Sequence, residues 1–244
     1  MQALLLCAGL GTRMQDLTKE KPKALVFVNG KPLIAWNLEK LKKAGFTKVI
    51  INVHHFAQQI KDYLAEQDDF GLEIHISDET KSLLNTGGAV KKALPLIDSD
   101  KPLLIHNVDI ISDIDLAKMM EEHMANRHFA TLAVRTRKTT RYLMFEEETK
   151  HLTGWTNIVS NEVKLSRITT LMVANYGFSG IHSISSSLQE FFPEQDSFSI
   201  IDVYLDAAKT KNLVAYPHEE DIWLDVGKPE NVERAEKALK KMTA

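Results

Sequence analysis

The sequence predicts an α/β fold: a mostly parallel sheet with helices on both faces and a small antiparallel extension. Three observations predict it. Apolar runs without helical periodicity alternate with amphipathic helical segments up to about residue 130. The first of these runs leads straight into a glycine-rich loop, Ala8-Gly9-Leu10-Gly11. After Thr131 the alternation stops, and short strand-like pieces follow one another without helices between them.

In chain order, Gln2 to Cys7 reads as a strand buried on both faces. Lys31-Pro32 opens a helix, with Pro32 in its first turn. Ile34, Leu38 and Leu41 form its apolar stripe, and Gly45 stops it. Lys48 to Val53 is the next strand and Ala57 to Ala65 the next helix. Glu73 to Ser77, Ala89 to Leu94 and Leu103 to Asn107 continue the pattern, and Leu116 to His123 adds a helix that Asp115 caps. Thr131 to Arg135, Tyr142 to Phe145 and Ala174 to Ile181 are strands of the extension, with Glu146 to Glu148 as a solvated turn. Ser183 to Phe191, Ser199 to Lys209 and Pro229 to Lys241 read as helices. No linker, repeat or low-complexity tract divides the chain, which predicts one Rossmann-like domain over residues 1–244.

With 44% hydrophobic and 26% charged residues, the composition is that of a globular chain able to bury a core. A net charge of -3 gives no general attraction for nucleic acid or anionic membrane, so any phosphate site must be local. The single cysteine, Cys7, forms no internal disulfide. No apolar run is long enough to span a bilayer, and the N-terminus lacks a signal-peptide pattern. The expectation is a cytoplasmic protein without nucleic-acid or membrane partners.

Gly9 and Gly11 allow backbone amides to converge on an anion, and Arg13 adds a permanently charged fork for phosphate oxygens. The dinucleotide fingerprint fails, because Met14 stands where a third small residue belongs and a polar stretch ends in Pro22. A Walker A loop fails as well, since no Gly-Lys-Ser/Thr follows. Pro22 constrains the backbone that presents Lys23. Asp109 lies past an apolar strand, at the carboxyl end where α/β sheets place their sites, and Asp225 follows Trp223-Leu224 in a similar position.

The ordered blocks Leu5 to Met14, Lys21-Pro22-Lys23, Gly30 to Ile34, Asn85 to Ala89, Asn107-Val108-Asp109, Phe178 to Ile181 and Trp223 to Glu230 resemble the sugar-1-phosphate nucleotidylyltransferases. In length the chain resembles the compact N-acetylmuramate-, mannose- and heptose-1-phosphate members. It departs from the family pattern at Gln15-Asp16 and at Val108. The resemblance implies a nucleotide-diphospho-sugar transferase fold, with a nucleotide-binding core at 1–130, a sugar-binding region with a second metal aspartate at 131–228, and a C-terminal helix at 229–244.

It also implies a reaction: a sugar 1-phosphate attacks the α-phosphorus of an NTP, most naturally UTP or GTP, and pyrophosphate leaves. Arg13 and Lys23 are the implied catalytic cations, gripping the β/γ-phosphates and the α-phosphoryl group. Leu6, Ala8, Gly9, Gly11, Thr12, Thr86, Gly87, Gly88 and Asn107 are the implied nucleotide contacts. Asp109 and Asp225 would hold Mg2+, and Arg141, Asn157 and Gly180 would face the sugar. A homodimer is left open, as are the base and the sugar. Two other readings stand beside this one. A nucleotide-sugar glycosyltransferase would use Asp113-Ile114-Asp115 as a D-x-D motif, and a regulatory subunit would bind nucleotide without turnover.

Overall fold

A computed structural model of the chain describes residues 1–242. Strand β1 (Gln2–Leu6) is followed by 3-10 turns at Thr12–Thr18 and Lys23–Leu25, the short strands β2 (Phe27–Val28) and β3 (Lys31–Pro32), and helix α1 (Leu33–Lys43). Next come β4 (Lys48–Val53), α2 (Ala57–Glu66), β5 (Glu73–Asp78), α3 (Asn85–Ala93), β6 (Leu103–Asn107), β7 (Ile110–Ser112) and α4 (Leu116–Ala125). The second half contains β8 (Ala130–Arg135), β9 (Arg141–Glu146), β10 (Leu152–Asn157), β11 (Glu162–Leu165) and the long β12 (Val173–Ile184). It ends with α5 (Ile200–Ala207), β13 (Leu213–Pro217), β14 (Trp223–Asp225) and α6 (Pro229–Met242).

One mixed, 10-stranded sheet organises these elements in the order β11-β10-β9-β12-β6-β1-β4-β5, with β8 and β13 attached through β12. β1 lies between β4 and β6 and runs parallel to both. That central position explains its apolar sequence, because each face of the strand meets a different core. Ala3 and Leu5 join the core that contains Ile34, Leu38, Ile60 and Met119. Leu4 points the other way, into a core with Ile105, Val203 and Tyr204. No helix among the described residues is long and apolar enough to cross a membrane.

The antiparallel extension has a definite origin. The first part of β12 pairs with β9, and its second part enters the central sheet between β6 and β8. A single strand therefore joins the β9-β10-β11 ribbon to the core. The alternation of the first half is as expected, and α3 begins earlier, at Asn85.

Several local expectations are corrected. Pro32 sits in β3, just before α1, where its extended φ/ψ suits a strand end. The stretch from Ser183 is the end of β12 followed by a 3-10 turn, Ser186–Phe191, because its backbone carries the ladder to β6. Glu146 is a buried strand end whose carboxylate accepts the Thr149 hydroxyl, while Glu147 and Glu148 are exposed. β10 and β11 lack a clear apolar alternation and emerge only from pairing, β10 with β9 and β11 with β10. Residues 243–244 of the expected C-terminal helix lie outside the described residues.

Candidate active site

The site is built where β1 and β6 end side by side. Asp109 lies in the turn between β6 and β7, and β7 pairs antiparallel with β14, which sets Asp225 opposite Ile110. The Val226 N–H closes the arrangement by donating to the Asp109 carbonyl at 2.8 Å. Two carboxylates remote in sequence thus share one end of a ribbon. Gly227 reports how close they come. A Cβ built there would sit 2.8 Å from Asp225 Oδ1, 3.1 Å from Arg13 Nη2 and 3.2 Å from Asp109 Oδ2. Those three groups surround one point, and only a glycine leaves it free. Lys23 reaches the same place, pairing with Asp109 Oδ2 in a largely buried ion pair.

Val108, the departure before Asp109, is accommodated without glycine. It is buried, and Asn37 Nδ2 donates to its carbonyl at 2.9 Å. The other departure leaves a mark: Gln15 holds a positive φ of 49° within the first 3-10 turn. Gly11 precedes that turn at φ 67°, and a Cβ there would press on the Thr18 methyl at 2.9 Å.

Two clefts meet at this point. The first, about 490 Å³, is lined by Leu6, Ala8, Gly9, Arg13, Lys23, Thr86, Asn107 and Asp109, among others. The second, about 360 Å³, is lined by Arg13, Asn107, Asp109, Arg141, Gly180 and Asp225, together with Arg137, Tyr142, Trp155 and Trp223. Arg13, Asn107 and Asp109 belong to both, so the carboxylates and cations stand at the junction. Gly180, at φ 74°, lets β12 pass over Asn107; a Cβ would lie 2.7 Å from Asn107 Nδ2.

Not every expected residue reaches the clefts. Thr12 is exposed and, like Gly11, lies outside both linings. Gly87 and Gly88 are buried against residues 196–198, where a side chain would collide with the Phe198 ring and the Asp196 carbonyl. Their smallness serves packing between α3 and that loop. Thr86 Oγ1 accepts the Ile200 N–H at 3.1 Å and so ties α3 to the start of α5. Asn157 does not line the second cleft; its Oδ1 accepts the Val159 N–H at 3.0 Å and holds the turn after β10.

Sequence reasoning missed two groups. Glu79 is fully buried at the floor of the first cleft and accepts from Asn52 Nδ2 at 2.7 Å and from the Leu84 N–H at 3.2 Å. Asn52 Oδ1 in turn accepts the Cys7 N–H at 2.6 Å, so one polar chain fixes the glycine-rich loop against the segment leading into α3. Arg137 is the second. Its Nη2 donates to the Phe178 carbonyl at 2.9 Å, and its guanidinium lies over the Trp223 ring, 4.9 Å from the centroid. Burial lowers its pKa, and the nearby Asp225 carboxylate opposes that shift. Neither residue stands in a recognisable motif. Burial also raises the Cys7 thiol far above its ordinary range, which keeps it a neutral packing group. His106, beneath the junction, is pushed down to about 3 by burial and is therefore uncharged at neutral pH.

The family model described as Nucleotidyl transferase matches residues 2–242. The chain belongs to the nucleotidyl transferase family. Among relatives, it is 41% identical over 131 residues to the N-acetylmuramate alpha-1-phosphate uridylyltransferase of Neisseria meningitidis, a stretch covering 51% of this chain and 56% of that protein. It is likewise 41% identical over 120 residues to the D-glycero-alpha-D-manno-heptose 1-phosphate guanylyltransferase of Campylobacter jejuni, covering 49% and 52%. The chain thus spans about half the length of these curated relatives. A UDP-glucose pyrophosphorylase solved with UDP-glucose shares the fold at TM-score 0.80 and 18% identity, covering 99% of this chain and 98% of its own. The nucleotidyl transferase fold therefore extends through both clefts.

Proposed function

We propose that the protein transfers a nucleoside monophosphate from an NTP to a sugar 1-phosphate, releasing pyrophosphate. One observation carries the reading: Arg13, Lys23, Asp109 and Asp225 converge where the two clefts meet. Two polyanions that must react need that arrangement, with one binding cleft for each and charge of the right sign between them.

In this reading the nucleotide occupies the larger cleft, against Leu6, Ala8, Gly9 and Thr86, and its triphosphate runs toward Arg13 and Lys23. Arg13 grips the leaving pyrophosphate, and Lys23 stabilises the charge that builds at the α-phosphorus. The sugar 1-phosphate enters the smaller cleft beside Gly180, Trp155 and Arg141, and the half-buried Arg137 holds its phosphate for in-line attack. Asp109 and Asp225 are the residues that would hold Mg2+. The place that Gly227 leaves free is bounded by Asp225 Oδ1 and Asp109 Oδ2, hard oxygen donors of the kind such a cation takes. When bound, the cation neutralises phosphate charge. The relatives' substrates point to UTP or GTP, with N-acetylmuramate, mannose or heptose as the sugar.

The glycosyltransferase reading loses its motif. Asp115 caps α4 by accepting the Lys118 N–H at 2.9 Å, and Asp113 accepts the Ile222 N–H at 2.7 Å. Both line a separate cleft of about 530 Å³ beside Lys40 and Ile222, away from the two clefts that meet at Arg13 and Asp109. The deciding experiment incubates the protein and Mg2+ with each NTP and a panel of sugar 1-phosphates while pyrophosphate release is followed. Turnover with one pair, abolished in Asp225→Asn, is expected. No turnover with any pair, in folded protein, rejects the reading.

A further inference from the structure

The β9-β10-β11 ribbon ends in an unusual edge. β11 is the last strand of the sheet, and its residues, Glu162 to Leu165, are all exposed. Val163 and Leu165 project on the side shared with Thr156 and Gly154, and Glu162 and Lys164 on the side shared with Asn157 and Trp155. Apolar side chains continue at both ends of the strand. Ile158 and Val159 are exposed before it, and Ile168 (98% exposed) and Met172 (74%) after it. An exposed edge strand presents unpaired N–H and C=O groups, a template for pairing with another strand.

The order of charges along β11 says which strand. We propose that β11 pairs antiparallel with β11 of a second copy of this chain, with Val163 opposite its symmetry mate, to form a homodimer. In that register each Glu162 faces Lys164 of the other copy, so the two-fold axis produces the ion pair twice. Neighbouring registers lack this match. Centring the axis on Glu162 or on Lys164 sets like charges opposite each other, and the intermediate registers set a charge opposite Val163 or Leu165. The exposed Ile158, Val159 and Ile168 flank the strand at its two ends. Within one chain Lys164 stands 3.8 Å from Glu162, 2.9 Å from Asp202 and over the Trp155 ring, so both charges of the proposed pair share one face of the strand.

Sedimentation equilibrium of the full chain tests the proposal, using wild type, Glu162→Lys, Lys164→Glu and the double exchange. Wild type is expected to dimerise. Each single variant should raise the dissociation constant about tenfold, because both symmetric pairs become like-charged, and the double exchange should return it to near wild type. Far-UV circular dichroism and a thermal melt establish that each variant is folded. A wild type that stays monomeric at about 100 μM, an interface approaching the weakest specific contacts, overturns the proposal. So do single variants that dimerise like wild type, or a double exchange that restores nothing.

Discussion

At the residue scale, the site separates cations by what immobilises them. Lys23 is buried and locked onto Asp109, whereas Arg141 is exposed at the start of β9. Arg137 lies between these extremes, fixed by the Phe178 carbonyl and the Trp223 ring. A charge needed in the transition state and a charge needed to hold substrate should fail differently when removed. Lys23→Ala is expected to lower kcat by roughly a hundredfold or more with a smaller change in KM. For the proposed reaction, Arg137→Ala should instead raise KM for the sugar 1-phosphate by about tenfold and leave KM for the NTP unchanged, with Arg137→Lys only partly restoring it. Steady-state kinetics with each substrate varied in turn check both. Arg13, Lys23, Asp109 and Asp225 were legible as candidates because each stands in a local pattern of glycine, proline or strand-end residues. Arg137 was not, because its environment is assembled by Phe178 and Trp223, from two other strands.

At the element scale, α3 shows how a motif can carry a packing requirement. A glycine inside a helix ordinarily gains from replacement by alanine, by about 0.5–1 kcal/mol. Gly88 should reverse that sign. Its Cβ would collide with the Asp196 backbone carbonyl, which is not the end of a flexible side chain. Gly88→Ala is therefore expected to destabilise the protein by about 1–3 kcal/mol, read as a lower urea midpoint at unchanged slope. An equal or higher midpoint would show that the 196–198 loop yields freely. The helices were legible from apolar periodicity, as in α1 and α2, whose buried stripes match the spacing. The ends of β12 were not, because they depend on which neighbour each half pairs with.

At the scale of the whole molecule, burial makes stability sensitive to acid. His106 and His182 are fully enclosed, and burial pushes each down to about 3, from 6.5. His123 and His218 are pushed to about 4, again chiefly by burial. The unfolded chain therefore binds more protons than the folded one between these values and 6.5. Stability is full above about pH 6.5 and falls as pH drops toward 4, by on the order of 1 kcal/mol per pH unit for each fully buried histidine. Asp98, held down to about 2 by hydrogen bonds from Lys101 and Lys48, contributes its loss only at lower pH. Urea melts at pH 7.5 and 5.5 should differ by several kcal/mol, and His182→Gln, which removes one titrating group, should narrow the gap. A gap unchanged in that variant would mean that His182 charges without cost in the fold, despite its buried contact with the Tyr204 hydroxyl.

Sequence alone determined the features that depend on residues near one another along the chain. The α/β alternation follows from hydrophobic periodicity, and the glycine-rich loop with Arg13 and Lys23 follows from local backbone chemistry. Only the tertiary structure decided what depends on distant segments meeting. The β7–β14 ribbon brings Asp109 and Asp225 to one point, β12 carries Gly180 over Asn107, and Glu79 reaches the loop at Cys7 through Asn52. Strand pairing is set by long-range register and burial, and neither is written in the spacing of residues along a single strand.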